Sequence, residues 1–560
     1  MEVEFNRTQD LHIQKSILNK KILANLSDLS DDSSSHLSDL IADQFLIYGP
    51  DPKGKKLEPC LLSCFPGNSL CISSNELSQI QDFCFPQGFE PFLQLSPRGP
   101  IISNEFVFIL NSTSSLIYGC VVQITSNRET PPFFVGPSCH NFPFALCILT
   151  RCPYLSTHFH FLTYAALALS GQISSIQHQQ SKRTLFLSNS LPIHPELSKF
   201  GLIENSLSFA VLPGLRPPQF FLEDLHFYFS LPTHLIDQSD TLISNPIKLS
   251  SNINLIIPYD TYDSQTLAYC SMHTLFSCLT IPTIVKVFNA LLLEYRVVFK
   301  SNNLHFLTLS VIAAISLLGK IGPLVQVTPL IPNQGDYHML LQAPTPYIVG
   351  SLSDDGSADV IVNLTNNKII KKNKIPKLPN EKALIHALNT IISDSKSKIK
   401  VPSKKSSSYQ EFMKNLSPLL FPQIFLSLID VKYILPSAVI DSILNLFEQH
   451  ITPFLQQKMS ECFVTDTTDD VNPITVFNKD LFLTQIPSKE HEFYDVFINT
   501  QIFNDFCNSL TDNFALERSA SWSSVRTRKK SFSTKRDIST SISLPYFSTE
   551  MKEPDLSTNS

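Results

Sequence analysis

Charge is scarce in this sequence of 560 residues. Asp, Glu, Lys and Arg make up 16% of it, against 43% apolar residues. That balance excludes a largely disordered chain and supplies enough apolar surface for two to four domains or lobes. Glycine is also scarce, at 15, and tryptophan occurs once, while phenylalanine reaches 41, so the cores should be rich in aromatic rings. No basic stripe or domain stands out, and 43 basic against 49 acidic residues leave a net charge of −6. A dedicated nucleic-acid binder would show the opposite. The 12 cysteines contain no CxxC pair, and Cys60 and Cys64 lack a second pair or a nearby His. They read as reduced, mostly buried thiols of a cytosolic protein rather than as disulfides or a zinc site.

Long hydrophobic runs are missing too. The most apolar stretch, Leu304 to Leu318, contains His305, Thr308, Ser310 and Ser316. It falls short of the roughly 20 apolar residues that a spanning helix needs, so it predicts a buried helix. The opening MEVEFNRTQDLHIQ puts acids where a secretory leader carries bases, and no leader or lipid anchor is expected. Catalytic signatures are absent as well: there is no GxxxxGK[ST], GxGxxG, HExxH or GxSxG. His158 and His160 read as half-buried ring fillers. Asp354-Asp355, within SLSDDGS, reads as a solvated turn rather than a metal site. Hence no cofactor, no metal and no covalent active site are expected.

What is there reads as α/β. QFLIYGP (44–50) and LEPCLLSCFPGN (57–68) are strands, and EFVFILNSTSSLIYGCVVQI (105–124) is a hairpin. A strand and then a helix fill 144–171. Apolar residues at 284, 287, 288, 291, 292 and 295 predict one helix over 273–295. Strands at Val297–Phe299, 325–330, Tyr347–Val349 and 358–364 follow, with the run 304–318 as a helix between the first two. Residues 382–392 form a short amphipathic helix inside a lysine run, and 436–463, 473–486 and 490–510 read as helical.

Three blocks, in order, are similar to the DENN family. The first holds Tyr48-Gly49, the 105–124 hairpin and CILTRCPYLSTHFHFL. The second holds LLLEYRVVFKS (291–301), PLIP (329–332) and LQAPTPYIVG (341–350). The third holds VFNKDLFLTQ and EFYDVFINTQIFNDF. Ser115 stands where the family's hairpin usually has Gly, and Asn363 stands where it has Asp.

The resemblance implies an α/β fold with a longin-like N-terminal lobe and a second α/β lobe. The second lobe would have a central sheet with helices on both faces and a helical C-terminal part. The implied division is 1–41 extension, 42–171 upstream DENN module, 172–204 linker and 205–395 central DENN module. It continues with 396–415 basic linker, 416–511 downstream helical module and 512–560 disordered basic Ser/Thr-rich tail. The implied function is guanine-nucleotide exchange on a Rab-type small GTPase, or non-catalytic Rab binding as effector or scaffold. Motif residues with a structural role would be Glu294, Arg296, Pro332, Pro344, Pro346, Gly350, Thr500, Gln501 and Phe503. Glu294 and Arg296 sit between two apolar runs and suggest an ion pair at the helix-to-strand junction. Partner contact is expected from the loops Ser301, Asn302, Asn303 and Ser351, Asp354, Asp355, because loops at strand ends carry function on rigid scaffolds. The tail's RTRKK (526–530), with Ser531 as a phosphorylation candidate, suggests reversible docking on anionic membranes, so a cytoplasmic protein peripheral on vesicles or endosomes.

Overall fold

A computed structural model of the chain describes residues 40–50, 58–66, 74–89, 102–111, 116–125, 143–169, 210–211, 219–231, 247–248, 254–255, 264–319, 325–333, 335–353, 357–393, 399–400, 433–466 and 474–507. The expected features at 1–39, the whole 172–204 linker, Asp354, Asp355 and the tail with Ser531 lie outside them.

The N-terminal elements form one antiparallel sheet. Its strands are β1 (Gln44–Pro50), β2 (Pro59–Phe65), β3 (Ile102–Asn111), β4 (Leu116–Thr125), β5 (Pro143–Thr150) and the two-residue β6 (Ala210–Val211), in the order β3-β4-β5-β1-β2-β6. Alternation divides each strand between two faces. Leu46, Tyr48, Phe106, Phe108, Val121 and Cys147 face helix α1 (Ser74–Cys84). Phe45, Ile47, Val107, Val122 and Ile148 face α2 (Leu155–Leu169) and α3 (Gln219–Phe229). Gly119 is required where it stands: a Cβ there would run into the ring of Phe108, its cross-strand partner.

After the short ribbon β7 (Ile247–Lys248) and β8 (Asn254–Leu255), two helices replace the single one expected over 273–295. α4 (Ser264–Cys278) ends, and α5 (Ile281–Leu292) begins with Pro282 in its first turn. Proline cannot continue α4 because it lacks the amide, but its fixed φ suits a new helix start. The apolar spacing ran through the break and hid it.

The second sheet comprises β9 (Val297–Lys300), β10 (Gln326–Ile331), β11 (Tyr347–Ser351), β12 (Val360–Asn363) and β13 (Lys368–Lys371), in the order β10-β11-β9-β12-β13. The first four run parallel and β13 closes the edge antiparallel. Helix α6 (Leu304–Ser316) connects β9 to β10. Val297, Phe299, Leu330, Ile348, Val360 and Val362 join the main core with α5 and α6. The opposite face, with Val298, Ile331, Tyr347 and Val349, carries the 3-10 segment Gly335–Gln342. Helical cover therefore exists on both faces, but the second cover is short.

α6 explains why its sequence has no polar face. Eleven of its thirteen residues are buried, because it packs between the two sheets. Its five buried Leu, Val and Ile side chains contribute on the order of 10 kcal/mol before entropy is counted.

The remaining elements are α7 (Glu381–Ser393), the ribbon β14 (Ile399–Lys400) with β15 (Tyr433–Ile434), α8 (Ser437–Ser460), β16 (Phe463–Asp466), β17 (Ile474–Phe477), α9 (Lys479–Gln485), α10 (His491–Phe497) and a last helical turn pair, α11 (501–507). Residues 474–477 were expected to be helical. They pair instead with β16, where Phe463 and Phe477 meet across the strands. A β-branched and aromatic run fits a pleated surface better than a helix.

Candidate functional site

Helix α5 runs into β9 through Leu293, Glu294 and Tyr295. Glu294 has φ +52°, the left-handed conformation that usually takes Gly or Asn at a helix end. There Tyr295 N–H closes the helix on the carbonyl of Ala290. A Glu in that conformation carries strain, and its side chain has a use that offsets it. The carboxylate accepts the backbone N–H of Gln501 at 2.9 Å and of Ile502 at 2.8 Å. It thus caps α11 from 207 positions away in the chain.

Thr500 completes the cap. Its hydroxyl accepts from Phe503 N–H at 3.1 Å and donates to the Phe497 carbonyl at 2.7 Å. Phe503 is fully buried against Phe477, Phe482 and Phe497. The Glu of LLLEYR and the Thr-Gln of INTQIF are therefore two halves of one helix start. This corrects the expected Glu294–Arg296 pair: the left-handed turn sends the two side chains to different partners.

Arg296 instead forms a bidentate pair with Asp359, Nε to Oδ2 and Nη2 to Oδ1, both 2.9 Å. β12 lies parallel to β9 with Val360 opposite Val297, which sets Asp359 beside Arg296. The guanidinium hydrogen bonds hold the Asp359 carboxyl below its usual range. The signal missed in the sequence was the acid inside the segment ADVIVNL, directly before β12.

The proline and glycine positions shape the loops. A Cβ on Gly350 would collide with the carbonyl of Pro329 at the irregular step of the β10–β11 ladder. Pro332 is buried, and the next residue, Asn333, donates its N–H to the carbonyl of Pro86 in the first lobe at 2.8 Å. Pro344 is exposed and Pro346 half-buried ahead of β11. Asn363 serves where the family pattern has Asp, because its Oδ1 accepts from Thr365 and Asn366 N–H and closes the turn.

The loops expected to meet a partner emerge side by side, since Lys300 pairs with both Ser351 and Asn363. Ser301 and Ser351 themselves are buried and hold turns: their hydroxyls accept from Asn303 and Ser353 N–H. Asn303 caps α6 by accepting from Phe306 N–H at 3.1 Å. Asn302 and Asn303 are exposed. Asp354 and Asp355 fall outside the described residues.

The two lobes meet along β3. This strand ends the first sheet, and two of its outward backbone groups meet side chains of α6. Thr308 accepts from Val107 N–H at 3.2 Å, and a ring nitrogen of His305 lies 3.1 Å from the Glu105 carbonyl. An aromatic relay adds to the seam: Phe108 stacks on Phe83, which meets Tyr337 of the 3-10 segment. Inside it lies Glu105, fully buried, with Thr163 donating to Oε1. Burial pushes its pKa up to about 8, so it is protonated at neutral pH. The same burial holds His305 neutral, down to about 3, and lowers His273 beside it. None of these three residues stood out in the sequence, because each is a single titratable group beside an apolar run and matches no motif.

Among the described residues no group of three or more His, Cys, Asp or Glu is arranged to hold a metal ion, and no helix is long and apolar enough to cross a membrane. His158, between Tyr228 and the Cys152 carbonyl, fills the first lobe's core. What remains is a mixed α/β protein whose motif residues are helix caps, turn formers and packing points.

Two family descriptions match the chain: the DENN (AEX-3) domain over residues 241–370 and the dDENN domain over residues 477–513. The chain thus carries DENN and dDENN domains of the DENN domain family over these residues. It is 32% identical over 124 residues, 21% of its length, to a DENN domain and WD repeat-containing protein of Arabidopsis thaliana. It is 30% identical over 124 residues to the mouse MAP kinase-activating death domain protein and 29% identical over 106 residues to its namesake in Caenorhabditis elegans, covering 20% and 19% of this chain. The matches take up 10%, 8% and 7% of those proteins, so the chain aligns with a tenth of their length or less.

Proposed function

We propose that this chain is a guanine-nucleotide exchange factor that promotes GDP release from a Rab-type small GTPase in membrane traffic. The observation that carries the reading is the match to both the DENN and the dDENN domains, with Glu294 of one capping a helix of the other. Exchange requires no acid or base. It requires a surface that binds the nucleotide-free GTPase more tightly than the loaded one, so that the GTPase's switch regions are held away from phosphates and Mg²⁺. A frame of fused lobes, tied by side-chain caps rather than mobile contacts, suits that task. We assign partner contact to the loops at the C-terminal ends of β9 and β11, with Asn302 and Asn303 the exposed members. On this reading 42–171 is a longin-like module, 205–395 the central module and 416–511 the downstream module. The protein would work in the cytoplasm, peripheral on vesicle or endosomal membranes.

The test is release of labelled GDP from a panel of Rab proteins by the purified chain, with Asn302→Arg as the variant. Accelerated release from one Rab, lowered at least tenfold by the variant at unchanged Tm, supports the proposal. Binding without acceleration replaces it with the effector or scaffold reading. No binding to any Rab removes both.

A further inference from the structure

The stretch 368–382, KIIKKNKIPKLPNEK, contains six lysines and a single carboxylate, Glu381, in a protein whose net charge is −6. The family match does not account for this asymmetry. The structure gives it a shape that the sequence concealed, because what read as a solvated lysine run contains strand β13, the outer edge of the second sheet. Lys368, Lys371, Lys372, Lys374, Lys377 and Lys382 are all exposed.

Among the described residues only Lys374 of these six is held in an ion pair, at 2.6 Å from Glu492. Asp359, near Lys372, is already engaged by Arg296. Lys371 pairs with Val360 on the inner face, where partial burial and then the charge of Lys286 on α5 disfavour its ammonium, and Glu381 favours it by less. On the other face stands Ile370, 55% exposed and paired across the ladder with Ile361. Ile361 packs against the small core under the 3-10 segment, so Ile370 lies on that face beyond the covered part.

An outer edge with a bare isoleucine among lysines of which one is ion-paired has two natural occupants. One is an extended acidic peptide added as a further strand. The strand is only four residues long and flanked by lysines, which is how natural sheets block strand addition. The other is an anionic lipid surface, which needs no register. It takes lysine heads from both sides of an edge while their stems reach the same plane.

We propose that the β12–β13 edge is a docking surface for anionic phospholipid, with Lys368, Lys371 and Lys372 against headgroups and Ile370 entering the interface. This stretch of sequence is distinct from the basic segment 526–530. It also lies at the opposite side of the sheet from β10, the strand next to the first lobe.

The experiment is flotation of the full chain with phosphatidylcholine vesicles, with and without phosphatidylserine. Wild type is compared with Lys368→Gln/Lys371→Gln/Lys372→Gln and with a variant neutralised at Arg526, Arg528, Lys529 and Lys530. The wild type should float only with the anionic vesicles, less so as salt rises. The triple variant should bind about a hundredfold more weakly, since each basic residue near such a leaflet contributes roughly a factor of five. Its Tm should match or exceed wild type, because Lys371 no longer faces Lys286. A separate Ile370→Asp variant should also lose binding. Equal flotation of wild type and triple variant overturns the proposal, whether or not the 526–530 variant loses binding. So does a wild type that ignores anionic vesicles yet is captured by poly-glutamate.

Discussion

Replacing Glu294 with Ala should weaken the contact between the two parts of the second lobe by about 2–3 kcal/mol. The figure comes from the carboxylate's two partners. Hydrogen bonds to a charged group contribute about 1.5–3 kcal/mol each when buried. Here Gln501 is exposed, so water replaces most of its bond, whereas Ile502 is 2% exposed and its amide is stranded. The start of α11 also loses a negative charge, about 0.3–1 kcal/mol. Ala keeps the left-handed strain, so nothing offsets the loss. Glu294→Gly makes the useful contrast, since it relieves strain of about 1 kcal/mol and should be milder than Ala. Glu294→Gln keeps one acceptor and should cost least. Urea denaturation gives the order Gln, Gly, Ala in falling midpoint, and amide exchange at Ile502 should accelerate in Gly and Ala. An unchanged midpoint for Glu294→Ala, with Ile502 still protected, would refute the capping argument.

Arg296→Ala should cost about 1 kcal/mol by thermal melting, well short of the 3–5 kcal/mol of a buried pair, because the Arg and Asp359 side chains keep 28% and 14% of their exposure; a loss above 3 kcal/mol would mean that the pair is sealed from water. Glu105→Gln should change how stability depends on pH. In the wild type the folded state holds a proton up to about pH 8 that the unfolded chain releases near 4.5, so this group's contribution falls across that window by up to about 1.4 kcal/mol per unit. His305 and His273 bend the curve the other way as pH falls below 6.5, and they act in both proteins alike. The difference between wild type and Glu105→Gln should therefore grow from pH 5 to pH 8, the variant being the more stable; parallel curves would show that Glu105 ionises freely.

Most strands of the two sheets were legible because alternation and β-branched runs survive in the sequence wherever one face meets a core. β1, β2, the β3–β4 hairpin, β9, β11 and β12 all follow that rule. What the sequence hid has physical causes. The Pro282 break went unseen because the apolar period passes through it. β13 was masked by lysines whose charges belong to an edge. The third block's hairpin lay beside strong helical patterns and borrowed their appearance. At the motif level the residues were found but not their partners. Glu294 and Arg296 are two apart in the chain, whereas Gln501 and Asp359 become neighbours only through the fold. Ser301 and Ser351 looked like surface polar residues, and burial turned them into turn formers.

The clamp on β3 has a consequence for the order in which the protein is made. Val107 and Glu105 find their backbone partners in Thr308 and His305, 201 and 200 positions later. A ribosome adding about 5–20 residues per second needs about 10–40 s to cover that distance. For the later part of that interval, once β5 has been made, five of the six strands of the first sheet are present without the element that shields the β3 edge, and the Val107 amide and Glu105 carbonyl lack those partners. The newborn first lobe is therefore expected to present an open strand edge, prone to association, until α6 emerges. Slowing translation between codons 170 and 300 should raise aggregation of the nascent chain more than slowing it after 330.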